Sequence, residues 1–302
     1  MSLAVRLYGA PVAEQLCSKL QRDVARLKAQ GVVPGLGMVR VGDRPADLRY
    51  EQGAMKRAEG LGIAVSRTLL PEDVPERVLL EMLRQINQND RIHGCLLFRP
   101  LPEQLNTPAV MSALQTQKDI DAMTGISIRP CAEGGGAGFL PCTAAACLAL
   151  LRHYQLPLRG RHIVVVGTGQ TVGLPTALML MEAGATVSTC NIFTKPEQLE
   201  WLCREADIII SAAGKAKLIG AQHVRPGQIL VDIGMSPDEN GQLCGDVDVA
   251  AVETIVAGYA PVFGGVSAVT STILAQHTVQ AALRAAGLPE KAEEASHARI
   301  NA

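Results

Sequence analysis

Aromatic side chains are scarce in this 302-residue chain, which holds one tryptophan, four tyrosines and four phenylalanines. Its core must be assembled from Ala, Val, Leu and Ile, which argues against a sandwich of aromatic-rich strands. Net charge is nearly absent too: 28 Lys and Arg stand against 29 Asp and Glu. Such a balance offers no general field for nucleic acid or anionic lipid, so neither is an expected partner. No apolar run reaches the roughly 18 residues that a membrane helix requires. The opening MSLAVRLYGA lacks an apolar stretch followed by a small-residue cleavage site, so secretion is not expected. The eight cysteines form no CxxC pair, and most lie in apolar runs such as HGCLLF. Reduced thiols in a cytoplasmic protein are the expectation, rather than disulfides or zinc. The six histidines include no i, i+4 pair, so no metal site is expected.

What is present points to an α/β protein. Hydrophobic residues make up 48% of the chain, and 29 glycines are spread without low-complexity tracts, as tight strand-to-helix turns require. The length suggests two domains or one large α/β unit. In the first half, Val12, Leu16, Leu20, Val24 and Leu27 form a helical stripe closed by Gly31. GLGMVRVG (35–42) reads as a buried strand, 47–59 as a helix, 63–70 as a strand, 75–88 as a helix and 93–98 as a strand. This βαβαβ order predicts a mainly parallel sheet. The glycine-rich 132–138 reads as a loop, and 141–154 as a helix. A second unit opens at Arg161 with a strand, a glycine turn and a helix. Short apolar runs at 185–190, 206–214 and 227–235 follow as strands of a doubly wound sheet, whose ligands gather at the carboxyl ends. The last strong helix, 270–287, is expected to return to the first domain, and 289–302 reads as a polar tail. The expected domains are 1–142 with 271–302, and a Rossmann-like 143–270.

The strongest chemical signal is Gly167-Thr168-Gly169-Gln170-Thr171-Val172-Gly173 after the strand IVVV and before Leu174-Pro175. Glycines at a strand–helix junction let backbone N–H groups approach a pyrophosphate at the helix N-terminus. The spacing is GxGxxxG, a relative of the dinucleotide fingerprint, and a plain tight turn is the alternative. At the end of the next strand, an acidic residue would hold the ribose hydroxyl of NAD. This chain instead has Cys190-Asn191-Ile192-Phe193-Thr194-Lys195. The missing carboxylate and the single lysine favour NADP, with NAD possible.

Several segments together resemble the bifunctional methylenetetrahydrofolate dehydrogenase/cyclohydrolase family. VGDRPADLRY (41–50) resembles its VGxxPAS–Tyr segment, and 94–102 its GILVQLPLP segment. Lys118-Asp119-Ile120-Asp121 resembles KDVD, and Pro141-Cys142-Thr143 matches PCT. The glycine turn falls where the family has GxSxxVGxP, and PVFGGVSAVT (261–270) is similar to PVPGGVGPMT. The resemblance implies a homodimer, a folate-binding domain beside a Rossmann domain, and a shared site between them. It also implies nucleotide contacts from the glycine turn and the Ala213-Gly214 turn, to which the reading of the second strand's end adds Lys195. The substrate contacts implied are Tyr50 stacking on folate, Asp121 holding the pterin, the residue at 98, and the loop of Gly264, Gly265 and Val266.

The catalytic set is incomplete. The family's lysine, four residues after the tyrosine, is Ala54 here. Its glutamine is Phe98, followed by Arg99 where an apolar residue is usual. Phe263, Ser267 and Ala268 replace Pro, Gly and Pro in the late loop, and Gly169 replaces the serine of the nucleotide turn. Residues i and i+4 on a helix differ by about 40°, whereas i+6 lies about 120° away. Lys56 should therefore not replace the lysine unless Gly53 breaks the helix. Arg99 stays protonated and cannot shuttle a proton. The implied activity is hydride transfer from 5,10-methylenetetrahydrofolate to NADP with a weak or lost cyclohydrolase. The alternative is an inactive or substrate-shifted relative that binds nucleotide. Lys215 and Lys217 read as solvated surface, and His93 as an end-of-strand polar residue.

Overall fold

The computed structural model describes residues 3–123, 131 and 138–289. The glycine-rich loop, apart from Gly138, and the polar tail beyond Pro289 lie outside the described residues. The chain forms two compact units, with boundaries between Ala13 and Glu14, Cys142 and Thr143, and Thr270 and Ser271, and with Cys131 grouped with residues 143–270.

The unit that starts at Glu14 is built on a parallel three-stranded sheet of order β3-β2-β4. Its strands are β2 (Gly35–Val41), β3 (Ala64–Leu70) and β4 (Gly94–Leu97). Every residue of β2 is buried, as expected for a central strand covered on both faces. Helix α1 (Ala10–Ala29) precedes β2, α2 (Pro45–Gly60) follows it, and α3 (Glu76–Gln88) leads into β4. On α3, Leu79, Leu83 and Ile86 form the buried stripe that packs on Val39, Val41, Cys95 and Leu97. Truncating either leucine to alanine should cost about 2–5 kcal/mol. A short helix, α4 (Thr107–Ala113), begins where the Asn106 side chain accepts the Ala109 N–H at 3.2 Å, an ordinary N-cap. Residues 271–289 cluster with this unit.

The other unit holds a parallel six-stranded sheet of order β1-β11-β8-β7-β5-β6. The strands are β1 (Val5–Arg6), β5 (His162–Val166), β6 (Thr186–Cys190), β7 (Ile208–Ser211), β8 (Ile229–Asp232) and β11 (Gly258–Ala260). Helix α5 (Cys142–His153) leads to β5, α6 (Gly173–Glu182) follows it, and α7 (Pro196–Glu205) joins β6 to β7. A small antiparallel hairpin of β9 (Met235–Pro237) and β10 (Leu243–Gly245) leads to α8 (Val249–Val252), and α9 (Val266–Ala285) starts in this unit, its residues from Ser271 belonging to the unit described first.

The first boundary differs from the expected one. Residues 3–13 group with the six-stranded unit rather than with the unit that starts at Glu14. The reason is β1: Val5 N–H donates to the Ala257 carbonyl at 2.9 Å and Leu7 N–H to that of Tyr259 at 2.8 Å. The register of the sheet aligns Cys190, Val166, Ser211 and Asp232 at the carboxyl ends of β6, β5, β7 and β8. Because β6 and β7 flank β5 on opposite sides, this row crosses a topological switch point, where open α/β sheets bind ligands.

Candidate functional site

In the six-stranded unit, the turn after β5 is shaped by two close approaches. A side chain on Gly173 would run into the Gly167 carbonyl, and one on Gly167 would run into the Ala212 carbonyl. Gly167 also has φ +101°, a conformation that favours glycine. Gly169 faces open space, so the replacement of the family serine removes no packing contact. Gly167 N–H donates to the Cys190 carbonyl at 2.8 Å, which ties the turn to the end of β6. Val172 precedes α6 and supplies no side-chain cap. Leu174 N–H donates to the Gly169 carbonyl at 3.1 Å, Pro175 has no N–H and Thr176 N–H donates to the Val172 carbonyl at 3.0 Å, so the Gly173 N–H is the one in the first turn that this network leaves toward an anion.

The segment after β6 is an exposed turn. Asn191 Oδ1 accepts the Phe193 N–H at 2.9 Å, and Thr194 Oγ1 accepts the Asn191 N–H at 2.9 Å. Lys195 follows, exposed, at the start of α7. No carboxylate occupies the end of β6. Beside the glycine turn lies the Ala213-Gly214 turn, with Lys215 and Lys217 exposed. In the late loop of this unit, Gly264 has φ +82° and its carbonyl accepts the Gly9 N–H at 2.7 Å. Gly265 and Val266 are buried, and Phe263 is exposed.

The other unit gathers Tyr50, Phe98, Arg99, Asp121 and Cys142. Tyr50 meets Phe98 edge-to-face, with ring centroids 5.9 Å apart and planes at 73°. Arg99 Nη2 lies 3.7 Å from Asp121 Oδ2, and the Cys142 N–H donates to Asp121 Oδ1 at 3.2 Å. Burial raises the Asp121 carboxyl above its ordinary value, against the opposing pull of Arg99 and the Cys142 hydrogen bonds. Tyr50 is also raised, first by burial and then by the charge of Asp121. Burial pushes the Cys142 thiol well up, which leaves it protonated and poorly nucleophilic.

Helix α2 runs unbroken through Gly53, so the geometry that excludes Lys56 applies. Ala54 is 1% exposed, one turn after Tyr50, whereas Lys56 points to solvent. His93 has a structural task, its Nδ1 accepting the Gly35 N–H at 3.0 Å. Cys142 and His277 were not legible as neighbours of Asp121. His277 Nδ1 donates to the Ile120 carbonyl at 2.8 Å and lies 3.6 Å from Cys142 Sγ. The PCT motif was the available signal for Cys142, and nothing in the sequence marked His277. Among the described residues, no group of three or more His, Cys, Asp or Glu is placed to hold a metal.

Comparison with known proteins places both units. Residues 7–121 match the model of the tetrahydrofolate dehydrogenase/cyclohydrolase catalytic domain, and residues 141–286 that of the NAD(P)-binding domain of the same family. The chain is 42% identical over 281 residues to the bifunctional protein FolD of Carboxydothermus hydrogenoformans, covering 92% of this chain and 97% of that one. Against FolD of Clostridioides difficile it is 38% identical over 275 residues, covering 91% and 95%. Among solved structures, the Campylobacter jejuni FolD methylenetetrahydrofolate dehydrogenase/cyclohydrolase superposes with a TM-score of 0.88 at 34% identity, covering 93% of this chain and 99% of that one. The Trypanosoma brucei enzyme, complexed with NADP cofactor and inhibitor, gives 0.90 at 28% identity, covering 95% and 99%. Fold, glycine turn and extended identity agree: the chain belongs to the tetrahydrofolate dehydrogenase/cyclohydrolase family.

Proposed function

We propose that this protein is an NADP-dependent 5,10-methylenetetrahydrofolate dehydrogenase whose cyclohydrolase step is very weak or lost. The observation that carries the second half is Ala54: a buried methyl stands where the family's lysine would be, and Lys56 faces away from it. Hydride transfer moves no proton and depends on orientation of the two reacting carbons. Hydrolysis of the methenyl ring needs an activated water and a group to manage its proton. Arg99 holds charge but gives up no proton at neutral pH.

NADP, when bound, supplies the hydride-accepting nicotinamide. The residues proposed to hold it are Gly167–Gly173, with Lys195 toward a 2′-phosphate and Ala213-Gly214 against its uncharged part. The close backbone approach of Gly167 and Gly173, the Gly173 N–H at the start of α6 and the absence of a carboxylate after β6 support that choice. For the folate, Tyr50 offers an aromatic face, Phe98 an apolar wall and Asp121 an acceptor for pterin N–H groups. Gly264, Gly265 and Val266 are proposed as further substrate contacts by the resemblance of their loop.

A cytoplasmic homodimer completes the reading. Eight free thiols suit a reducing compartment. Ile192, Phe193 and Trp201 are 91%, 85% and 62% exposed on the segment that follows edge strand β6; apolar side chains so placed suit an interface between copies. Phe193→Asp should give a monomer in sedimentation if this edge is the interface.

The deciding experiment mixes protein, NADP and methylenetetrahydrofolate, and follows reduced nucleotide and methenyl product together. The proposal expects both to accumulate. Rapid passage to 10-formyltetrahydrofolate would overturn the cyclohydrolase half, and no nucleotide reduction would overturn the whole.

A further inference from the structure

Behind the turn that follows β7 lies a buried carboxylate, Asp246, which the proposed chemistry does not use. Its Oδ2 accepts hydrogen bonds from Ser211 Oγ at 2.8 Å, Ala213 N at 2.7 Å and Gly214 N at 3.3 Å. Its Oδ1 accepts from Lys215 N at 2.8 Å. A second buried carboxylate, Asp232 at the end of β8, holds Asp246 in place. It accepts the Asp246 N–H at 3.0 Å and the Val247 N–H at 3.1 Å. A side chain on Gly234 would collide with the Asp246 carboxylate, so the absence of a Cβ there leaves the space that the carboxylate fills.

Successive backbone N–H groups that converge on one point form a nest, a common cradle for phosphate. Here the N–H groups of residues 213–215 form such a nest, with Gly214 at φ +62°. The protein's own carboxylate already fills it. Two consequences follow. The 211–215 turn has no free N–H groups at residues 213–215 for a dinucleotide phosphate, which leaves the Gly167–Gly173 turn for that task. The shape of the 211–215 turn also depends on an anion at position 246. That shape reaches the glycine turn directly, because Gly167 packs against the Ala212 carbonyl and the Ala213 backbone without room for a side chain.

We infer that Asp246 is a positioning residue for the nucleotide: as an internal anion it fills the nest of the 211–215 turn and sets the wall against which the Gly167 turn holds the dinucleotide. This inference rests on the proposed NADP site. It makes Asp246 act through the two turns and not by touching the cofactor.

The test is calorimetric titration of NADP into ligand-free wild type, Asp246→Asn and Asp246→Ala, with melting followed by circular dichroism. Asp246→Asn keeps the volume but turns an amide N–H toward backbone donors. Asp246→Ala empties the nest and leaves room for a small carboxylate. The expected result is an affinity at least about tenfold weaker in each folded variant, equivalent to about 1.4 kcal/mol. Acetate should restore Asp246→Ala and leave Asp246→Asn unchanged, with chloride at equal ionic strength as control. A purely structural role would not yield that pattern. If Asp246→Ala does not fold, faster amide exchange at residues 213–215 of Asp246→Asn, with protection unchanged in β5 and β7 and binding weakened, supports the inference. Folded variants with wild-type affinity overturn it, as does an affinity loss in folded Asp246→Ala that acetate does not reverse. Wild type that fails to bind NADP would instead overturn the proposed function itself, and this inference with it.

Discussion

Arg99 and Asp121 face each other across 3.7 Å, Nη2 to Oδ2, in a place where each is largely withdrawn from solvent. Burial acts to raise the Asp121 carboxyl, and the charge of the guanidinium is the main force opposing it. An ionised carboxylate is the stronger acceptor for ring N–H groups. Arg99→Leu should therefore raise the Asp121 pKa further and move the acid limb of the kcat/KM profile for methylenetetrahydrofolate to higher pH. NADP affinity should not change. An acid limb that stays in place would mean that Arg99 does not tune this carboxylate.

His277 sets a second pH dependence, with a sign that can be worked out. Its imidazole is pushed down to about 4, mainly by burial. Between that value and about 6.5 the unfolded chain binds more protons than the folded one, so stability falls as pH drops through this window. The full effect is on the order of 3 kcal/mol, at about 1.36 kcal/mol for each tenfold change in proton affinity between about 6.5 and about 4. Asp232 works in the opposite direction. Its carboxyl is raised to about 7, first by burial, with the charge of Asp246 adding and its two backbone hydrogen bonds opposing. The folded state then holds the extra proton, and stability falls as pH rises from about 4 to about 7. Urea midpoints of wild type should be comparatively flat from pH 4.5 to 6.5. In His277→Gln the acid-side loss should disappear, leaving midpoints that decline toward neutral pH. Parallel profiles for the two proteins would contradict the assignment.

Much of this architecture is legible in the residue pattern, and the exceptions have common causes. The stripe Leu79, Leu83, Ile86 and the apolar β2 announce their elements because the local period matches burial. Strand β1 has only two residues, both exposed, so it has no period to read and places the N-terminal segment unexpectedly. Within β2, Arg40 is buried against Glu51 at 3.0 Å, and Glu51 also takes Arg67 at 2.7 Å. Such an ion pair is invisible until the helix and strands are assembled. The nucleotide turn follows from local glycine spacing, whereas Asp246 meets its turn across more than thirty residues. Short-range chemistry can be read from sequence; long-range hydrogen bonding to a loop cannot.

The glycine turn invites a paired test. Gly173→Val places branched carbons against the Gly167 carbonyl, where even a Cβ has no room. The turn must shift, and NADP binding should fall by at least about a hundredfold, a loss of roughly 2.7 kcal/mol. Gly169→Ser restores the family residue at a position facing open space, so affinity should stay within about threefold of wild type. Calorimetry on both variants separates a requirement for clearance from a general sensitivity of the loop. Equal losses in the two would refute the steric explanation.

The last prediction concerns the missing lysine. Ala54 is 1% exposed, so Ala54→Lys alone drives a long charged side chain into filled space. Overpacking costs about 1–3 kcal/mol, and desolvation of the ammonium adds to it. The single variant should therefore melt lower than wild type and gain little cyclohydrolase activity. Phe98 packs edge-on to Tyr50, one turn before position 54 on α2. Replacing it with glutamine removes a ring and introduces an amide that can accept a hydrogen bond from an ammonium. In Ala54→Lys/Phe98→Gln the lysine gains both volume and a polar partner, so part of the stability loss should be recovered. Hydrolysis of methenyltetrahydrofolate should then rise at least about tenfold above either single variant, within the range expected of one positioned acid–base group. Stopped-flow decay of the methenyl absorbance, read beside the melting temperature, measures both effects. Additive behaviour of the two substitutions in both quantities would show that residues 54 and 98 do not share a site.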